Sequence, residues 1–297
     1  MSDTFRCAVT SSGRPDDLAG TASQVRAFLL VEEPGPWGVD ALRDSRLPVG
    51  AELLQAAHRA GVRPLLVRRP GRSDVTAGRR VFAAYADPHE PWLETTVVHD
   101  VADLLDLDLT ALGRGGSPGL TPTDEPVVAV CTHGRHDTCC AELGRPAVAA
   151  LAAAHPAETW QVSHIGGDRF AGNLLVLPHG LYYGRVDPAA AIAVASAHLT
   201  GHLDLDHLRG RSGWAMPVQA AEIALRRQLG ETALGAVRLE RRRREGGTTR
   251  VEMLAAGRRW AITVHSTTGP VTGRLTCRAT RENPLPHHEV REIVALS

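Results

Sequence analysis

The chemistry-bearing residues of this chain crowd into two short stretches, CTHGRHDTCC (131–140) and SHIGGDRFAGN (163–173). Cys131, Cys139 and Cys140, three of five cysteines, fall within ten residues. Thiolate is the form that binds metal, and a thiol at the start of a helix is shifted toward it by the unpaired N–H groups and positive dipole end there. His164 adds an imidazole just ahead of Gly166-Gly167, a turn that can bring its backbone close to a bound object. The Cys131-x8-Cys140 spacing is wider than the C-x2-4-C of a zinc knuckle and suits a loop wrapped around something larger than one ion. On chemistry alone an iron–sulfur cluster fits best, zinc comes second, and a metal-free vicinal dithiol third.

Other candidates have blander readings. Cys7 and Cys277 are isolated in sequence and read as structural. Cys139 reads as a packing thiol more readily than as a ligand. His133 and His136 read as exposed loop residues or hydrogen-bond donors to cluster sulfurs, Asp168 and Arg169 as an ion pair fixing the loop, and Asn173 as a turn-stabilising amide. His287 and His288 would point to opposite faces of a strand and read as surface.

These residues need elements to hold them. PVVAVC (126–131) reads as a buried strand, so Cys131 sits at its C-terminal end, where open α/β sheets collect their sites. A helix is expected over about 139–154, a strand over 160–165, a hairpin over 173–186, and a helix over 187–201 with Asp187 as cap and Pro188 at its first position. The first half offers the same order: strand 26–32, helix 51–60 closed by Gly61, strands 62–68, 80–86 and 93–99, and a helix 100–109 capped by Asp100. PGPWG (34–38) stands where the second half has its cysteines, which places Trp37 over the site or against the other half.

The expected fold class is α/β, with two tandem thioredoxin-like β-α-β-β-β-α units followed by a small α+β module. The divisions are an arm 1–23, a unit without cluster ligands 24–111, a Gly/Pro-rich linker 112–125, the ligand-bearing unit 126–205, and the C-terminal module 206–297. After a loop expected over about 202–213, that module is expected to hold a helix 218–230 and strands 234–243, 250–256, 259–266 and 273–280.

Composition bounds the function. The 297 residues are 43% hydrophobic and 22% charged, ordinary for a globular protein. Basic and acidic residues balance at 33 each, which gives nucleic acid or an anionic membrane no overall electrostatic draw. The absence of lysine removes Schiff-base and phosphate-loop lysine chemistry. No apolar run approaches the ~20 residues of a membrane span, and the first residues lack a signal-peptide pattern, so a cytoplasmic location is expected. An odd cysteine count without a signal peptide argues against a disulfide framework.

Together, LAGTASQVRAFLLVEEPGPWG, CTHGRHDTCC…WQVSHIGGDRFAGNLLVLPHGLYYGRV and GRSGWAMPVQAAEIALR resemble the sucrase/ferredoxin-like family. Its eukaryotic members are thioredoxin-like ferredoxins whose [2Fe–2S] cluster is held by C-x8-C and H-x3-H. The resemblance implies Cys131, Cys140 and His164 as ligands here. The second histidine falls on Asp168, a departure that leaves the fourth ligand to Asp168 by position or to Cys139 by softness, with His133 or water also open.

The leading expectation is therefore a [2Fe–2S] electron-transfer protein serving a redox partner protein, with neither nucleic acid nor membrane as partner. A thiol–disulfide oxidoreductase using Cys131, Cys139 and Cys140 competes, as does a structural zinc protein. Sugar hydrolysis needs two carboxylates flanking a cleft, and no Asp/Glu pair in the sequence stands out for that role.

Overall fold

A computed structural model describes residues 5–14, 17–71 and 76–296, so residues 1–4 and 15–16 of the expected arm lie outside the described residues. The arm holds a short helix, α1 (Cys7–Ser12), that buries Cys7, Ala8 and Ser11. The first half then runs β1 (Ala27–Glu32), α2 (Gly50–Ala60), β2 (Val62–Arg68), β3 (Arg79–Tyr85) and β4 (Trp92–Val98). Gly61 closes α2 in the left-handed conformation (φ 72°), which glycine adopts without a Cβ clash. The helix expected over 100–109 is instead two pieces. Asp100 caps a 3-10 turn at Val101–Leu105, and Asp108 starts α3 (Leu109–Gly113) by accepting from Ala111 N–H. A second aspartate competing for a backbone donor breaks the run.

Within the expected linker, Thr121–Pro122 form a two-residue strand, β5, against β4. The second half follows with β6 (Val127–Cys131), α4 (Thr138–Ala154), β7 (Thr159–Val162), β8 (Leu174–Leu177), β9 (Leu181–Tyr183) and α5 (Pro188–Leu199). Where a loop was expected, Leu208–Arg211 forms β10. LRGR carries no apolar alternation, because its arginines are themselves buried. The C-terminal part is α6 (Met216–Leu229) and β11 (Val237–Glu245), β12 (Thr248–Ala255), β13 (Arg258–Gly273) and β14 (Asn283–Ala295). The fourth strand thus lies beyond the expected 273–280. Residues 274–282 form the connection, and Cys277 N–H bonds Asp137 instead of a sheet ladder. Pro284 and Pro286 are tolerated because β14 is an edge strand.

The fold is mixed α/β, with a ten-stranded mixed sheet ordered β10-β9-β8-β6-β7-β2-β1-β3-β4-β5 and a separate antiparallel sheet ordered β11-β12-β13-β14. Each half contributes the same local order. In the first, β1 pairs in parallel with β2 and antiparallel with β3, which pairs with β4. In the second, β6 pairs in parallel with β7 and antiparallel with β8, which pairs with β9. The equivalent strands β2 and β7 meet antiparallel, Val67 opposite Val162, so the halves fuse into one sheet.

Alternation along β6 sets the direction of Cys131. Val128 and Val130 pack with Ala147, Val148 and Leu151 of α4, whereas Val127, Ala129 and Cys131 face the opposite core with Phe28, Leu65 and Trp160. At Gly144 of α4 a Cβ would collide with the Cys131 carbonyl. That absent side chain lets α4 lie directly against the end of β6. Among the described residues, no helix is long and apolar enough to cross a membrane.

Candidate metal centre

Cys131 ends β6, with its N–H donated to Asn173 O at 2.9 Å. Asp137 caps α4, its Oδ1 accepting from Cys139 N–H at 2.9 Å, which seats Cys139 and Cys140 in the helix's first turn. His164 follows β7 and is held through its backbone: its N–H donates to His133 Nδ1 at 3.3 Å and its carbonyl accepts from Arg63 at 3.1 Å.

The loop from 163 to 173 is organised from below by Arg209 of β10, which is only 1% exposed. Its guanidinium donates to Gly166 O (2.9 Å), Asn173 Oδ1 (2.8 Å), Thr21 O (2.6 Å) and Thr21 Oγ1 (3.1 Å). A Cβ at Gly167 (φ +83°) would strike that guanidinium, so glycine is needed both for conformation and for space. Asn173 is the turn-stabilising amide expected of it, donating to Gly167 O at 2.8 Å.

Cys131, Cys140, His164 and Asp168 come together at this end of the sheet. The Cys140 S–H is shared with Cys131, which lowers the Cys131 pKa and, with burial, raises that of Cys140. Cys140 Sγ is also 3.4 Å from Asp168 Oδ1. His164 Nδ1 lies 2.9 Å from the same oxygen. That contact is off the line of a hydrogen bond, and the buried Nδ1 has no in-line partner. Burial opposes the Asp168 charge, but His164, His136 and the Cys140 thiol outweigh it and hold its pKa below the usual value. His136 stacks on His164 with ring centroids 3.7 Å apart and reaches Asp168 Oδ2 at 3.6 Å. Burial lowers the pKa of both His136 and His133.

Trp37 packs as expected against the other half. Its ring meets His133 edge-on at 5.8 Å, and His133 Nε2 bonds Gly38 O at 2.7 Å. His133 is therefore a buried brace between the halves, not an exposed loop residue.

Cys139 is not brought to this group. Its thiol faces the other way, 3.3 Å from Cys277 Sγ, and accepts from Cys7 S–H, which lowers its pKa to about 6. The same bond and burial push the Cys7 pKa well up. Burial raises the Cys277 pKa to about 11. Cys7 and Cys277, read from sequence as isolated, thus form a second thiol group around Cys139. Sequence carries no signal for it, since the partners lie more than a hundred residues apart. Arg209 and the stacking of His136 were likewise silent in the pattern.

Chemically, the first group offers two thiolates and an imidazole nitrogen, soft and borderline donors that suit iron or zinc, beside one hard carboxylate oxygen. A family model described as Sucrase/ferredoxin-like matches residues 18–210. No curated protein and no solved structure matches the chain.

Proposed function

Because this chain belongs to the sucrase/ferredoxin-like family, we propose that it carries electrons on a [2Fe–2S] cluster held by Cys131, Cys140, His164 and Asp168. The observation that carries the reading is the convergence of two facing thiols with a buried imidazole nitrogen that has no in-line protein partner. Cys131 and Cys140 would supply two thiolate ligands, and His164 Nδ1 and the Asp168 carboxylate the other two. Cys139 is displaced from the fourth position by its engagement with Cys277. The bound cluster supplies a one-electron couple. His136 covers the imidazole face, and Arg209 fixes the loop that presents His164 and Asp168.

The repeated strand order supports a reading of each half as thioredoxin-like, with the first half a scaffold that braces the second through Trp37. A cleft of about 810 Å³ opens beside His136 and His164, with Arg26, Arg43 and Arg63 on its walls. It gives an acidic redox partner protein a path to the centre. The five free cysteines fit a cytoplasmic protein.

Reconstitution under argon with iron and sulfide tests the reading. A brown protein with visible charge-transfer absorption, lost in Cys140→Ser and retained in Asp168→His, is expected. A colourless protein with two reactive thiols at 131 and 140 would instead favour the thiol–disulfide oxidoreductase.

A further inference from the structure

Three thiols and a carboxylate that the electron-carrying centre does not use converge beside it. Cys7 begins α1, Cys139 is in the first turn of α4, and Cys277 lies in the connection between β13 and β14. The Sγ atoms of Cys139 and Cys277 are 3.3 Å apart, and those of Cys277 and Cys7 3.5 Å apart. Both Asp137 oxygens lie 3.6 Å from Cys7 Sγ, and one donor atom from each of the four residues falls within a 4.8 Å span. From this geometry we propose a structural zinc site in which Cys7, Cys139 and Cys277 are thiolate ligands and Asp137 closes the fourth side.

The geometry matches the ion. A tetrahedral zinc with bonds of about 2.3 Å sets its sulfurs roughly 3.8 Å apart, so these thiols need to spread by only a few tenths of an ångström. A disulfide needs about 2.05 Å between sulfurs and would leave the third thiol of the triad alone. Three soft donors exclude magnesium and calcium, which take oxygen ligands.

The surroundings are arranged to hold the ligands. Asp137 accepts from Cys139 N–H at 2.9 Å and from Cys277 N–H at 2.6 Å, fixing two ligand backbones with one carboxylate. The N–H of Ala8 faces Cys139 Sγ and that of Cys7 faces Cys277 Sγ, as N–H donors do around metal-bound thiolates. Arg6 clamps Glu142 of α4 with two bonds of 2.7 Å, Arg14 reaches Thr272 O at 2.7 Å, and Arg278 bonds Arg135 O. The three segments are therefore tied together around the thiols by contacts independent of the ion.

Cys7 and Cys277 both lie outside residues 18–210, the part that matches the family. The site joins the arm and the C-terminal sheet to the ferredoxin-like part. Zinc binding exchanges three S–H protons to water for three Zn–S bonds and involves no change of oxidation state.

The test is elemental analysis of the full chain, purified anaerobically with zinc and iron supplied, followed by cobalt titration of chelator-stripped protein. One zinc per chain is expected in wild type and in Cys140→Ser, which lacks the iron centre. Zinc should be lost in Cys7→Ser and Cys277→Ser while iron is kept. Should both serine variants fail to fold, cobalt titration of Cys140→Ser decides by itself. One equivalent giving the intense thiolate-to-cobalt and tetrahedral bands supports the site. Absence of those bands, zinc retained in both serine variants, or a Cys139–Cys277 disulfide found by mass spectrometry of wild type would overturn it. The iron readout is separate, so failure of this site is distinguishable from failure of the cluster.

Discussion

Cys139 and Cys140 are neighbours in sequence, yet their thiols join different side-chain groups: Cys139 Sγ is 3.3 Å from Cys277 Sγ, and Cys140 Sγ is 3.4 Å from Asp168 Oδ1. Successive residues on a helix diverge by about 100°, so a vicinal pair in the first turn of α4 reaches two sites at once. Asp137 sets this divergence by capping the helix at Cys139 N–H.

The divergence predicts unequal serine variants. Cys140→Ser abolishes bound iron, whereas Cys139→Ser leaves iron and acid-labile sulfide at wild-type stoichiometry. Colorimetric iron and sulfide assays on anaerobic preparations of the two variants check this.

Arg209 is predicted to be a positioning residue for the ligand loop. Arg209→Met leaves Gly166 O, Asn173 Oδ1 and Thr21 O without their buried donor. A destabilisation of about 2–4 kcal/mol in urea unfolding is expected at that price in lost partners. Reduced iron occupancy should accompany it, with a broadened visible spectrum in the fraction that stays folded.

Glu222 of α6 lies between two buried guanidiniums, 2.9 Å from Arg211 Nε and 2.9 Å from Arg226 Nε. Removing its charge strands both cations. Glu222→Gln is expected to cost about 3–5 kcal/mol, read from the shift in denaturation midpoint, without altering the visible spectrum of the folded fraction.

Acid sensitivity follows from a histidine pair that belongs to neither thiol group. His179 and His198 sit with ring centroids 5.0 Å apart, and burial, aided by the Arg211 charge, lowers both pKa values from 6.5 to about 4. Between those values the unfolded chain binds more protons than the folded one, so stability is full above pH 6.5 and is lost as pH falls toward 4. Chemical denaturation of Cys140→Ser, which lacks the cluster, should show this loss between pH 7 and 5. The slope should flatten in the same background carrying His179→Asn and His198→Gln.

Much of the large sheet was legible because its signals are local. VVAVC is a run of apolar and β-branched residues, Gly61 and Asp187 mark helix ends by their own chemistry, and the C-x8-C spacing sits across one strand end and one helix start. The approach of Cys131, Cys140 and His164 followed from that order, which also placed Cys139 with them, whereas Asp168 entered only through the family resemblance. What stayed hidden depends on distance in sequence. β10 is built on buried arginines whose partners are backbone carbonyls far away, so its residues read as a loop. The strand expected at 273–280 yields to a connection because Cys277 spends its N–H on Asp137, 140 residues earlier. The second thiol group is invisible for the same reason.

The most direct test of the central claim is EPR of the dithionite-reduced, anaerobically prepared protein, with iron and sulfide counted on the same sample. Two irons and two sulfides per chain with an S = 1/2 signal are predicted, showing nitrogen couplings that change on ¹⁵N-histidine labelling and vanish in His164→Cys. A reconstituted protein without labile sulfide, or a cluster signal without nitrogen coupling, would contradict the account.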